Sequence, residues 1–173
     1  EQTVIADADG HAVLLMTFVG GSANRRTDVL CGVSGTAGTG DGSALSATFT
    51  EPFAVALFPR AQAIPTALFI SEQGAARLRR LVPVTTTGNV ETIFDHGTSN
   101  KGWGLDHRWN GGTSKGTLLW WNDFNGLVYF DITTAESTGA VATLAGLGVV
   151  EGFSIVEARR IIVVVVVIFF RCQ

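Results

Sequence analysis

The chain is poor in the residues that usually declare a chemistry. Its 173 residues include two cysteines, four prolines, three histidines, one methionine and one tyrosine. Cys31 and Cys172 lie far apart and match neither a zinc-binding nor a redox spacing, and nothing in that spacing supports a disulfide between them. No Asn-x-Ser/Thr acceptor occurs, so glycosylation gives no hint of a secreted chain. Charge is also scarce, at 16% against 46% hydrophobic residues, a balance that buries readily and solubilises poorly. The net charge of -3 argues against a general nucleic-acid surface, although ten of the twelve basic residues are arginine.

Long apolar runs are missing too. The longest, "IIVVVVVIFF" from Ile161 to Phe170, has ten residues, where a bilayer-spanning helix needs about 20. All but the Phe pair are β-branched, which favours an extended strand buried on both faces. A truncated membrane anchor is the alternative, and left unpaired the run is an aggregation hazard. The sequence opens at Glu1 with neither an initiator Met nor a signal peptide, as expected of a processed chain or a section of a longer one.

What is abundant is glycine, 21 residues, together with many Thr, Val and Ala. That mixture predicts one domain of short strands joined by tight turns. Five of the glycines fall in Gly32–Gly42, "GVSGTAGTGDG", ahead of an apolar stretch. A dinucleotide loop needs Gly at i, i+2 and i+5, but Gly38 and Gly40 are followed by Ser43, and Gly40 and Gly42 by Leu45. A P-loop needs Gly-Lys after four intervening residues, and here Asp41 follows Gly40, where the lysine belongs. The downstream "SALSATFTEPF" suits a short turn better than a phosphate-capping helix. No bound nucleotide is expected.

Period-2 apolar segments recur along the chain. "TVIA", "DADGH" and "AVLLMTF" read as strand, turn and strand, as do "TALFIS", "EQGAA" and "RLRRLV", and again "TLLWW", "NDFNG" and "LVYFDI". Each hairpin is followed by one more strand, "DVLCG", "NVETIF" or "AVATLAG", and the second and third are preceded by "FAVALF" and "WGLDHRW". A last "GFSIV" precedes the valine run. Four strands per unit, repeated, is the pattern of propeller blades.

At Gly35 to Phe94, "GTAGTGDGSALSATFTEPFAVAL", "ALFISEQGAARLRRL" and "GNVETIF", the chain resembles the NHL-repeat family of β-propellers. The first hairpin and Gly102 to Gly146 follow that pattern more loosely, and "EGFSIV" resembles the opening of another blade. The resemblance implies an all-β chain of about three blades in an incomplete ring, each a four-stranded antiparallel sheet. Residues 1–32 would be the outer part of a blade, 33–97 and 98–146 whole blades, and 147–173 the start of a further one. Members of the family usually close a ring of about six, so the missing blades are expected from a longer chain or from self-association. The Gly-rich stretch becomes an inter-blade connector, with glycines at positive φ and Asp41 bonding back to the turn.

Few residues point to chemistry. "DADGH", Asp7 to His11, opens like a calcium loop but lacks the twelfth-position Glu, position 18 being Phe, so a hairpin turn is expected. Asp106 and His107 would lie on an inner strand, where some six-bladed relatives hold a metal, with Glu157 a distant second. A calcium or zinc site needs more ligands, and a water-filled polar pair is the simpler expectation. No Ser-His-Asp or Cys-His constellation is legible, and His11 and His96 both fall in turns. Trp103, Trp109, Trp120 and Trp121 crowd the third unit, as inter-blade core or as a recognition patch for a protein or glycan. Arg77, Arg79 and Arg80 form the one dense basic group, either an RNA-binding contact or partners of Glu72 and Glu91.

The expected function is a non-catalytic scaffold that binds another protein, without a cofactor. The alternatives are a metal-dependent lyase- or lactonase-like propeller using Asp106 and His107, or a carbohydrate- or RNA-binding one using the tryptophans or Arg77 and Arg79. Membrane association is expected only if the valine run is an anchor. An extracellular or membrane-associated location is slightly favoured.

Overall fold

In a computed structural model, residues 2–20, 24–58 and 67–95 are described in full, and the backbone pairing of six further strands extends the description to residue 166. The described residues are all strand, turn and loop, with no helix among them. The fold class is all-β.

The first sheet holds β1 (Gln2–Asp7), β2 (Ala12–Phe18) and β3 (Arg25–Cys31) in the order β1-β2-β3. The second has β4 (Gly42–Ser43), β5 (Pro52–Phe58), β6 (Ala67–Glu72), β7 (Arg77–Val82) and β8 (Asn89–Asp95), ordered β4-β8-β7-β6-β5. The third is β9 (Gly102–Trp109), β10 (Gly116–Asn122), β11 (Gly126–Ile132) and β12 (Ala140–Leu144), each paired with its successor. The last pairs β13 (Phe153–Ala158) with β14 (Ile161–Val166). The apolar run therefore begins as a strand, and its residues 167–170 lie outside the described part. No helix among the described residues is long and apolar enough to cross a membrane.

The second sheet departs from the four strands expected of it. The Gly-rich stretch contributes β4, which pairs with the start of β8, Gly42 opposite Val90 and Ser43 opposite Asn89. Gly42 makes this reachable, because its φ of 147° is a conformation side chains rarely adopt.

Packing follows the alternation of the strands. Leu68 and Ile70 of β6, Leu81 of β7 and Val90 of β8 face a cluster with Val13, Leu30 and Cys31 of the first sheet and Ala44, Ala47 and Phe49 of the connecting loop. On the opposite face Phe58, Ala67, Phe69 and Leu78 form a second cluster, in which Phe58 and Phe69 meet edge to face at 6.5 Å. The fully buried Ala67–Ile70 is thus apolar on both faces, as a strand covered on both sides must be. Between sheets, β1 lies alongside β5, β5 alongside β9, and β6 also against β9.

The turn at Asp7–His11 closes the first hairpin. Asp7 Oδ1 accepts from the Gly10 amide at 2.9 Å, and the His11 amide donates to the Ala8 carbonyl. Asp7→Ala is expected to lower stability by about 1 kcal/mol, the net worth of one such bond. A urea titration showing no change would mean that the hairpin turns without that bond.

Candidate functional site

The densest polar structure among the described residues is built around Arg79. The residue sits on β7 opposite Ile70 of β6, so Glu72 is its diagonal neighbour on the same face. That face also carries Leu68, Ile70 and Leu81 into the core, and period-2 alternation drives Arg79 and Glu72 inward with them. Both side chains are fully buried.

An ionised guanidinium is tolerated there because four of its five N–H donors are matched. Nη1 donates to Glu72 Oε1 at 2.8 Å and to the Thr48 carbonyl at 3.2 Å. Nη2 donates to the Gly40 carbonyl at 2.8 Å and to Asp41 Oδ1 at 2.7 Å. The guanidinium also stands 5.1 Å from the centre of the Phe49 ring, within range of a cation–π contact. Among the described residues, only Arg79 Nε and Glu72 Oε2 are buried side-chain polar atoms without a hydrogen-bond partner.

Arg79 thus latches the Gly-rich connector. Arg77 adds a hydrogen bond to the Thr39 carbonyl at 3.0 Å and pairs with Asp95. Asp41, expected to bond back into its own turn, instead accepts from Arg79 and from Thr92 Oγ1 at 2.9 Å. The reason is geometric: β7 and β8 bring stronger donors to the carboxylate than its own turn offers. Loop amides are consumed in the same stitching. Gly32 donates to Ala44, Gly35 to Gly10, Gly38 to Phe49, Gly40 to Thr48 Oγ1 and Ala44 to Gly88. A phosphate cradle would have to aim donors of this kind at a ligand. Gly32 is confined on its own account, at φ 100° with an added Cβ only 2.9 Å from the Phe49 ring.

Two buried groups have displaced proton affinities. Burial pushes Glu72 up from 4.5 to about 7, against the opposing pull of Arg79 and, to a lesser degree, of Arg77 and a backbone hydrogen bond at Thr50. One guanidinium faces two carboxylates, Glu72 and Asp41, so a proton on Glu72 leaves the neutral Arg79–Asp41 pair. Burial likewise raises the free thiol of Cys31 from 9.0 to about 12. Thiolate is then scarce at neutral pH, and Cys31 is expected to resist alkylation until the protein opens. Rapid labelling under native conditions would show that its cover is loose.

The residues proposed from sequence separate accordingly. Arg79 lies wholly inside the fold, where no ligand in solution reaches it without an opening of the connector. Arg77 is partly exposed and already engaged by Asp95 and Thr39. Arg80 pairs with Glu91 across β8, so both expected acidic partners, Glu72 and Glu91, are in place. Asp106 and His107 fall on β9 opposite Leu119 and Leu118. On the same sheet, Trp109 stands opposite Gly116, Trp120 opposite Leu105 and Val128, and Trp121 opposite Gly104 and Leu127. Trp103 lies within β9, Glu157 on β13 opposite Ile162. The side chains of these residues, and His96 and Cys172 altogether, lie outside the described residues. No group of three or more His, Cys, Asp or Glu side chains able to hold a metal occurs among the described residues.

Glu72 and Asp41 were not singled out by sequence as members of one site. The available signal was alternation: with Leu68 and Ile70 facing the core, Glu72 must follow, and Leu81 carries Arg79 with it. No such rule places Asp41 against them, because a loop has no period.

As an arrangement the cluster can hold a proton and fix a loop, and it presents no open face at which Glu72 or Arg79 could act on a solute. No family model matches the chain, and comparison with curated proteins and with solved structures likewise finds no match.

Proposed function

We infer that this chain is a section of an NHL-type β-propeller acting as a non-catalytic protein-interaction scaffold. The observation that carries the reading is a repeated four-strand meander: β5 to β8 and β9 to β12 each pair antiparallel with their successors, and β5 lies alongside β9. The latched connector supports it further, since Arg79 and Arg77 bond to the carbonyls of Thr39, Gly40 and Thr48 in the stretch that runs from β3 of the first sheet to β5 of the second. A scaffold needs this stiffness in its frame, and leaves recognition to loops and edges.

The test is affinity purification of the tagged natural protein from its source cells after mild crosslinking, with metal analysis of the same sample. One protein retained near stoichiometry through a salt wash is the expected result. A chain that retains no protein and carries a divalent metal at one equivalent would overturn the scaffold reading.

A further inference from the structure

Arg79 divides one positive charge between two carboxylates of unlike freedom. Glu72 ends β6 and is held by a ladder on each side, opposite Pro52 of β5 and Arg77 of β7, with its side chain fully buried. Asp41 stands on the Gly-rich connector immediately before β4, and its side chain is 48% exposed. β4 itself is held to β8 through two residue pairs, Gly42 with Val90 and Ser43 with Asn89. The other two acceptors of the guanidinium, the carbonyls of Gly40 and Thr48, also belong to the connector.

A proton on Glu72 leaves the guanidinium and Asp41 as a neutral pair. Without that proton, two anions share one cation at a place closed to water, which burial penalises heavily. Glu72 cannot reach solvent unless two ladders break, whereas Asp41 already touches solvent and the connector has few pairs to lose. The connector is therefore where the strain is relieved. Burial brings the proton of Glu72 within reach of ordinary conditions, with a value of about 7. The other ionisable groups around it are few. Arg77 is fixed by Asp95 and the Thr39 carbonyl, and Cys31 keeps its proton because burial raises its thiol to about 12. Glu51, whose carbonyl accepts from the Gln73 amide, donates its own amide to His11 Nδ1 at 3.3 Å. An imidazolium could not accept there, so His11 needs its own control.

We propose that the connector is a proton-controlled latch: while Glu72 holds its proton, Arg79 keeps Asp41 and β4 in place, and when the proton leaves, the guanidinium goes over to Glu72 and the connector opens locally from Gly38 to Thr48. Opening frees the edge of β8 at Asn89 and Val90 and loosens the joint between the first and second sheets. The joint is thus stiff in acid and loosens as pH rises through neutrality. Nothing in the latch requires the sheets to be propeller blades.

The experiment is native-state amide hydrogen exchange on the whole 173-residue chain between about pH 5 and 8, each rate divided by that of unstructured peptide at the same pH. The reporters are the amides of Gly38, Gly40, Ala44 and Thr48, which bond to Phe49, Thr48 Oγ1, Gly88 and Gly40. Their protection should fall about tenfold or more as pH rises, with little dependence on low urea, while the amides of β6 and β7 stay better protected. Glu72→Gln should hold their protection level. Asp41→Asn, which leaves Glu72 as the sole carboxylate on Arg79, should shrink the fall. His11→Asn keeps a side-chain acceptor in a residue that tolerates the φ of 54°, and should leave the fall unchanged. Protection that is level in the wild type, or that falls as far in Glu72→Gln or Asp41→Asn, overturns the proposal. So does a fall that disappears in His11→Asn. Connector amides that exchange with the rate and urea dependence of β6 and β7 overturn it as well, since the whole fold is then what opens. If Glu72→Gln fails to fold, the wild type and Asp41→Asn decide.

Discussion

Arg79→Met is expected to destabilise the fold by about 3–5 kcal/mol, the usual cost of removing one partner from a buried ion pair. The guanidinium makes four hydrogen bonds and touches the Phe49 ring, and methionine replaces none of the polar contacts. Glu72 would be left buried without its hydrogen-bonded cation, the Thr48 carbonyl would lose its Arg79 donor, and the Gly40 carbonyl would keep only the Thr48 amide. Arg79→Lys keeps the charge but not the planar fork that reaches Glu72, Asp41 and two carbonyls together, so it should recover only part of the loss. Adding Glu72→Gln to Arg79→Met should recover part of it as well, by removing the stranded charge. Urea titrations measure these differences, and hydrogen exchange locates them, with amides of Gly38 to Thr48 losing protection first. A loss under about 1 kcal/mol for Arg79→Met would mean that the connector is held without its latch.

The second large effect is on pH dependence. Glu72 binds its proton more tightly in the folded state, with a value near 7, than in the unfolded chain, where 4.5 applies. Between these values the native state holds a proton that the unfolded state has released. The stabilising contribution is therefore complete below pH 4.5 and lost as pH rises through 7. At about 1.4 kcal/mol per unit, the full swing reaches about 3 kcal/mol. Most of the rise comes from taking the carboxylate out of water, with Arg79 offsetting part of it. Glu72→Gln should flatten the profile between pH 5 and 8 while keeping the fold. Chemical denaturation across that range is the measurement. A wild-type profile that rises with pH, or a Glu72→Gln profile with the same fall, would show that Glu72 is ionised throughout.

Strand positions were legible because period-2 alternation and Gly-bearing turns are local signals. "RLRRLV" and "TALFIS" become β7 and β6 with the hairpin between them as read. The fate of the arginines was only half legible. Alternation puts Arg79 on the face of Leu81, but three arginines in four residues look alike until neighbours are known. Arg79 and Arg80 are both buried, on opposite faces, with Arg80 paired to Glu91, while Arg77 is half-buried and paired to Asp95. Asp41 was legible as a loop carboxylate and not as a partner of β7 and β8, since that contact spans 38 residues of chain to Arg79 and 51 to Thr92.

By itself, then, the sequence determined the all-β class and the hairpins. Each depends on residues within a few positions of one another, where sterics, alternation and turn chemistry act. Only the tertiary structure decided that the Gly-rich stretch adds a fifth strand to its sheet, that Arg79 is a buried latch, and that Glu72 shares a guanidinium with Asp41. Those outcomes depend on which distant groups meet out of water, where a charge is tolerated only if the fold brings it partners.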